Sequence, residues 1–167
     1  GDPKTISHQS ESFYLEHALN PFSVSLSHID PTVSTLAKLP LRNLSDFSVV
    51  ILANVRELPP GYELELEKFV LNGGALLIGM GDQVNPKYFN ERLGNLLPVR
   101  LESQYQFEEE ALHLLLKNST HPVMQVFSPK ALEEMRGINF YSIYTVQARE
   151  DKKFKVGTWF SNQHPAV

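Results

Sequence analysis

The chain contains no cysteine. That removes a thiol nucleophile, a thiolate metal site and any disulfide. It leaves the redox compartment open, because a cysteine-free domain is stable in either environment. No apolar run approaches the roughly 18–20 residues that a membrane-spanning helix needs, and no signal peptide is present, so this segment is not expected to insert into a membrane itself. Clustered positive charge is also missing. The net charge is −4, and the 15 Lys and Arg residues are scattered. Lys152, Lys153 and Lys155 form the densest group and read as a solvated turn. A phosphate-binding surface needs clustered basic residues, so no nucleic-acid partner is expected. No two of the six histidines (His8, His17, His28, His113, His121, His164) have helical metal-ligand spacing, so neither a metal nor a cofactor is expected. There is no Gly-x-Ser-x-Gly elbow for a serine nucleophile, no internal repeat and no low-complexity tract.

What remains is an ordinary globular composition. Hydrophobic residues make up 42% and charged residues 20% of 167 positions, enough for one domain with a substantial core. The reading is a single domain over 1–167. Its opening, Gly1-Asp2-Pro3, reads as an exit from the C-terminal end of a strand. Trp159–Val167 stops while the pattern is still strand-like. Both ends suggest a domain excised from a larger chain and lacking its first strand.

Ser10 is positioned to cap a helix over Glu11–Leu19, with Phe13, Leu15, Ala18 and Leu19 as core contacts. Asn20-Pro21 ends it. Phe22, Val24 and Leu26 alternate with serines, as in a strand at or near a sheet edge. Asp30-Pro31-Thr32 opens a short helix that Pro40 stops. Residues 47–53, FSVVILA, form a nearly continuous apolar run, the pattern of a strand covered on both faces. Leu58-Pro59-Pro60-Gly61 starts a helix over about Tyr62–Asn72, with Leu66, Phe69 and Val70 inward and Glu63, Glu65, Glu67 and Lys68 largely outward. Gly73 ends it, and Ala75–Ile78 follows as a second buried strand. Asn85-Pro86 caps a short helix bearing Tyr88, Phe89 and Leu93. Leu96–Leu101 reads as a strand, and Ala111–Leu116 as helix or strand. His121-Pro122 opens a turn or short helix, and Pro129–Arg136 is a helix ended by Gly137. Asn139–Gln147 and Phe154–Phe160 read as antiparallel strands joined by the charged turn Arg149–Lys153. Strand–helix alternation in the first half predicts a parallel α/β sheet, which the second half extends.

In open α/β sheets the crevice lies beyond the C-terminal ends of the parallel strands. Three loops carry polar residues to that end: one bears Asp2, one Asn54, and one Gly79-Met80-Gly81-Asp82 with Asn85 beyond. Asp2, Asn54, Gly79, Asp82 and Asn85 are the candidate ligand-binding residues. Paired carboxylates there would bind a cation or polarise a water. Alternatively Asp82 and Asn85 cap the next short helix and Asp2 makes a turn. Gly79-Met80-Gly81 lacks both the spacing of a dinucleotide fingerprint and the Lys-Ser/Thr of a Walker loop, and serves equally well as a tight strand-to-helix turn. His121 before Pro122 reads as a turn-capping residue, and His28 with Asp30 as surface residues.

The stretch from Val49 to Gly81, a strand, a helix ending FVLNGG, then ALLIGMG, resembles the core of the class I glutamine amidotransferase-like superfamily. In catalytic members the second strand enters an elbow of the form Cys-x-Gly. On that motif Gly79 falls at the nucleophile, Met80 at the spacer and Gly81 at the glycine. The resemblance therefore implies a Rossmann/flavodoxin-like three-layer sandwich, mostly parallel with added antiparallel strands, whose acyl-transfer chemistry lacks its first step. Over nearly the whole chain, GDPK, SESFYLEHALNP, FSVVILANVRELPPGYELELEKFVLNGGALLIGMGDQVNPKYFNERL, LLPVRL and THPVMQVF resemble the amidotransferase-like domain of bacterial Bat-type, aerotolerance-like proteins. Those carry a double transmembrane segment and often a von Willebrand A domain. This implies a soluble domain of a bacterial inner-membrane protein, on a side of the membrane the sequence does not specify. Its partners would be neighbouring domains of the parent chain or other proteins of a membrane complex. The functional expectation is a pseudoenzyme serving ligand binding or protein interaction. Two alternatives stand beside it: a diverged hydrolase or amidotransferase-like enzyme using Asp82 with His121 or a metal held by Asp2 and Asp82, and a structural spacer.

Overall fold

The computed structural model describes residues 10–21, 29–116 and 121–166. The strand expected at Phe22, Val24 and Leu26 lies outside them, as do Asp2 and His28. Among the described residues the protein is mixed α/β, with three two-stranded sheets, one parallel and two antiparallel. The chain divides into two compact units, the first ending at Tyr88 and the second starting at Phe89.

The first unit opens with helix α1, Glu11–Leu19, whose N-cap Ser10 accepts a hydrogen bond from the Phe13 N–H at 3.3 Å. Asn20 closes it before Pro21. None of its residues is buried, and Ala18 is exposed rather than in the core. Its apolar residues spread over more than one face, so no single stripe is driven inward. The helix expected from Asp30 is instead a 3-10 segment, Leu36–Leu41, that runs through Pro40. A short 3-10 run tolerates the missing Pro40 N–H because its bonds are few and local, such as Arg42 N–H to Leu39 C=O at 3.0 Å. A second 3-10 turn follows at Leu44–Asp46, capped by the Asn43 side chain.

Strand β1, Val49–Ala53, pairs in parallel with β2, Ala75–Gly79, in a register that sets Val49 opposite Ala75 and Ala53 opposite Gly79. The connecting helix α2, Tyr62–Leu71, packs against β2 and the Leu44–Asp46 turn. Leu66, Phe69, Tyr62 and Leu58 are buried in this unit. The sheet is covered mainly on one face. Leu52 is buried and Val50, Leu76 and Ile78 partly so, but Val49 and Leu77 remain 50% and 55% exposed. This corrects the expectation of two buried strands: an apolar run matches burial on both sides, but here Val50, Leu52, Leu76 and Ile78 share the better-covered face, while on the other Ile51 is partly buried and Val49, Ala75 and Leu77 are exposed.

Pro59 and Pro60 precede α2 rather than forming its first turn, and Gly61, at φ 84°, is the N-cap. The C-terminus is a Schellman turn. Gly73, at φ 96°, donates to Val70 C=O at 3.0 Å, and Gly74 donates to Phe69 C=O at 2.9 Å. A side chain at Gly74 would run into the Phe69 ring, so the second glycine is needed for closeness rather than for dihedral freedom. Glu63, expected outside, is buried. Its carboxylate accepts from the Tyr88 hydroxyl at 2.9 Å, and that hydroxyl accepts from the Leu58 N–H at 3.0 Å.

Helix α3, Pro86–Arg92, crosses the division between the units. In the second unit, Phe89, Leu93, Leu97 and Leu101 are buried. Strand β3, Val99–Gln106, starts and ends later than expected, and pairs antiparallel with β5, Ser142–Ala148, around an irregularity between Leu101 and Gln104. Asn90 bonds both backbone groups of Leu101: its Nδ2 donates to the C=O at 2.7 Å and its Oδ1 accepts from the N–H at 2.9 Å. Within 111–116 the chain is extended. The two-residue strand β4, Leu114–Leu115, pairs antiparallel with β6, Trp159–Phe160. Helix α4, Pro122–Gln125, and helix α5, Pro129–Arg136, lie between. A core of Leu112, Leu114, Leu116, Met124, Ile143 and Phe160 joins these elements.

The hairpin expected between the last two strands does not form, since β5 pairs with β3 and β6 with β4. The charged turn is anchored elsewhere. Arg149 grips Asp151 with two hydrogen bonds at 3.0 and 2.9 Å and donates to Gly94 C=O at 2.7 Å, while Lys152 donates to Asn95 C=O at 2.9 Å. These contacts hold the turn to the loop before β3, whose eight residues offer β5 a longer partner than the two of β6. The second-half strands thus form their own pairs rather than extending the parallel pair among the described residues.

Candidate functional site

The parallel register brings two chain segments together at the C-terminal ends of β1 and β2. Asn54 is the first residue past β1. Its N–H donates to Gly79 C=O at 3.0 Å, carrying the ladder one step beyond the strand. Its backbone has φ 50°, a left-handed conformation that Asn adopts more readily than other residues with a Cβ. The turn points its side chain inward, where Asn54 is 7% exposed.

The amide is fully engaged. Its Nδ2 donates to Glu11 Oε1 at 2.6 Å and to Asp82 Oδ1 at 2.8 Å, and its Oδ1 accepts from the Gln83 N–H at 2.8 Å. This arrangement fixes the orientation of the amide, because the flipped form would set its oxygen against two carboxylates. One buried amide therefore ties together α1, the end of β1 and the turn after β2. Gly81 makes that approach possible: a methyl there would overlap the Asn54 side chain.

Both carboxylates are biased toward their charged forms. For Asp82, which is exposed, the Asn54 hydrogen bond is the main cause that holds the carboxyl below its usual value. For Glu11, burial works against ionisation, yet the pKa is lowered, with hydrogen bonds from Asn54 and its own backbone among the causes. Donors to a charged acceptor are worth more than neutral ones, so the amide acts as a clasp between two anions.

Gly79 is the last residue of β2, opposite Ala53, with no positive φ. A Cβ there would meet Leu52 O at 3.7 Å and Ala53 Cα at 3.9 Å, ordinary contacts. The position accepts a side chain sterically but carries none. Asn85 stands apart from the clasp. Its Oδ1 accepts from the Tyr88 N–H at 3.3 Å, capping α3, and its Nδ2 donates to Glu57 at 3.0 Å. Of the five candidates, then, Asn54, Gly79 and Asp82 come together, Asn85 caps a helix, and Asp2 lies outside the described residues. His121 caps α4, its Nδ1 accepting from the Val123 N–H at 3.3 Å. Among the described residues no group of three His, Asp or Glu side chains is placed to hold a metal ion.

Sequence reasoning missed Glu11, the second anion of the clasp. Its only signal is a carboxylate in the first turn of a capped helix, which the helix dipole explains equally well. It also missed the pairing of buried Glu63 with Tyr88, whose residues lie 25 positions apart. No family model, no curated protein and no solved structure matches the chain.

Proposed function

We propose that the chain is a non-catalytic, amidotransferase-like domain that serves as a binding module, docking onto neighbouring domains or partner proteins of a membrane-anchored assembly. The wider fold in this reading is the Rossmann-like three-layer sandwich, with β1 and β2 as adjacent parallel strands. The observation that carries it is the state of the turn after β2. By the resemblance to amidotransferase-like sequences Gly79 falls at the thiol position, and the polar side chains of Glu11 and Asp82 beside it are tied to one another through Asn54. Among the described residues, a turn so arranged has structural coherence but presents no nucleophile and no base aimed at Gly79. The exposed apolar face bearing Val49 and Leu77 supports the interaction role, since parallel strands are ordinarily covered on both sides.

The test is site-specific photocrosslinking in the full-length parent protein in its membrane, with the crosslinker at Leu77 and, as a control, at the exposed Lys68 of α2. Crosslinks confined to Leu77, together with no glutamine hydrolysis by the purified domain, fit this reading. Glutamine hydrolysis that disappears on Asp82→Ala would sink it.

A further inference from the structure

Asn72-Gly73 is the one Asn-Gly step in the sequence, and there is no Asp-Gly step. It sits at the junction between α2 and β2, and both residues are exposed. Asn-Gly is chemically special because glycine leaves its own amide nitrogen unhindered. That nitrogen can attack the Asn side-chain carbonyl carbon: a C–N bond forms to Cγ, the amide C–N bond breaks, and ammonia leaves. Water then opens the resulting five-membered imide at either carbonyl, giving aspartate or β-linked isoaspartate.

Two features of the helix end oppose this reaction in the folded chain. The Gly73 N–H is committed to Val70 C=O at 3.0 Å, so the nucleophilic nitrogen is tied to an acceptor behind it. Asn72 has φ −84° and ψ 8°, which turns the Gly73 nitrogen away from the Cβ side, where ring closure requires it. The flanking bonds, Asn72 N–H to Lys68 C=O and Gly74 N–H to Phe69 C=O, each at 2.9 Å, resist the rotation that would bring it round. We propose that Asn72 is a spontaneous deamidation site gated by the Schellman turn of α2, so that modification occurs through opening of this helix end. The product is harmful where it falls. A carboxylate at Asn72 adds negative charge to the negative end of the helix dipole, and the β-linked isomer lengthens the backbone in the short link between α2 and β2.

The experiment incubates the whole protein and a synthetic peptide of sequence FVLNGGALL at mildly alkaline pH, and follows deamidation at Asn72 by mass spectrometry of the proteolytic fragment. The expected result is that the folded protein reacts at least about tenfold more slowly than the peptide, as protection by local structure requires. Leu66→Ala, which weakens α2 without touching the Asn-Gly step, should move the protein toward the peptide rate, and Asn72→Asp should melt below Asn72→Ser. Equal rates for protein and peptide would overturn the gating. So would a Leu66→Ala variant of lowered stability that deamidates no faster than the parent.

Discussion

The side chain of Asn54 fills the space that a Cβ on Gly81 would occupy. Each residue sets the identity of the other. Gly81→Ala should destabilise the protein by about 1–3 kcal/mol, the usual range for overpacking a filled site. The Asn54→Gly, Gly81→Ala double variant should cost less than the sum of the single changes, because the overlap is gone. Urea unfolding of the four proteins measures this, and additive costs would mean the two positions do not share space.

The clasp also predicts a pH dependence with a definite sign. Glu11 and Asp82 have folded-state pKa values below their unfolded ones. Their contribution is present above the ordinary carboxylate range and is lost as the pH falls through and below about 4. Asn54→Asp places a third carboxylate against these two. Its deficit relative to the parent should be largest near neutral pH and should shrink on acidification, as protonation relieves the repulsion. Thermal melts of both proteins across this pH range provide the comparison, and a deficit independent of pH would contradict the electrostatic account.

Gly79→Cys tests the vacant position directly. The added Cβ finds only ordinary contacts, so the stability change should stay within about 1 kcal/mol, as for a substitution outside any strained feature. The nearby charged groups of the clasp are carboxylates, which disfavour a thiolate. The new thiol should therefore titrate at or above the usual value of about 8.5, read from the pH dependence of its alkylation. A strongly depressed value would reveal an activating base and revive the catalytic reading.

The one-sided cover of the parallel pair makes two leucines respond in opposite ways. Leu66 is fully buried, and Leu66→Ala should cost about 2–5 kcal/mol. Leu77 is 55% exposed, and Leu77→Ser should fall within about 1 kcal/mol of the parent in the isolated domain. Chemical denaturation separates the two. A large loss at Leu77 would mean that its face is covered in solution.

The parts of the fold legible in the sequence are those whose signals are local. Ser10, Gly73 and Gly137 mark helix ends through caps that act within a few residues, and α1, α2 and α5 end or begin where they indicate. The meeting of Asn54 with Asp82 was legible too, because parallel strands place their exits side by side. What failed depended on distant partners. A run such as VVILA contains no sign of whether one or both faces find cover. The turn Arg149–Lys153 has hairpin chemistry, yet Arg149 and Lys152 bind the distant carbonyls of Gly94 and Asn95. Pro40 signals a stop only if the segment is an α-helix, and in a 3-10 segment it does not. Glu11 joins the site through the placement of α1, which no spacing in the sequence records.

Asn90 has a consequence beyond local geometry. By offering Leu101 both an acceptor and a donor, its side chain imitates the backbone of an added strand. An unoccupied strand edge is a template on which other chains assemble into insoluble stacks. At Leu101 that template is already taken, so the amide of Asn90 closes this point of the edge to strand addition as well as bracing the start of β3.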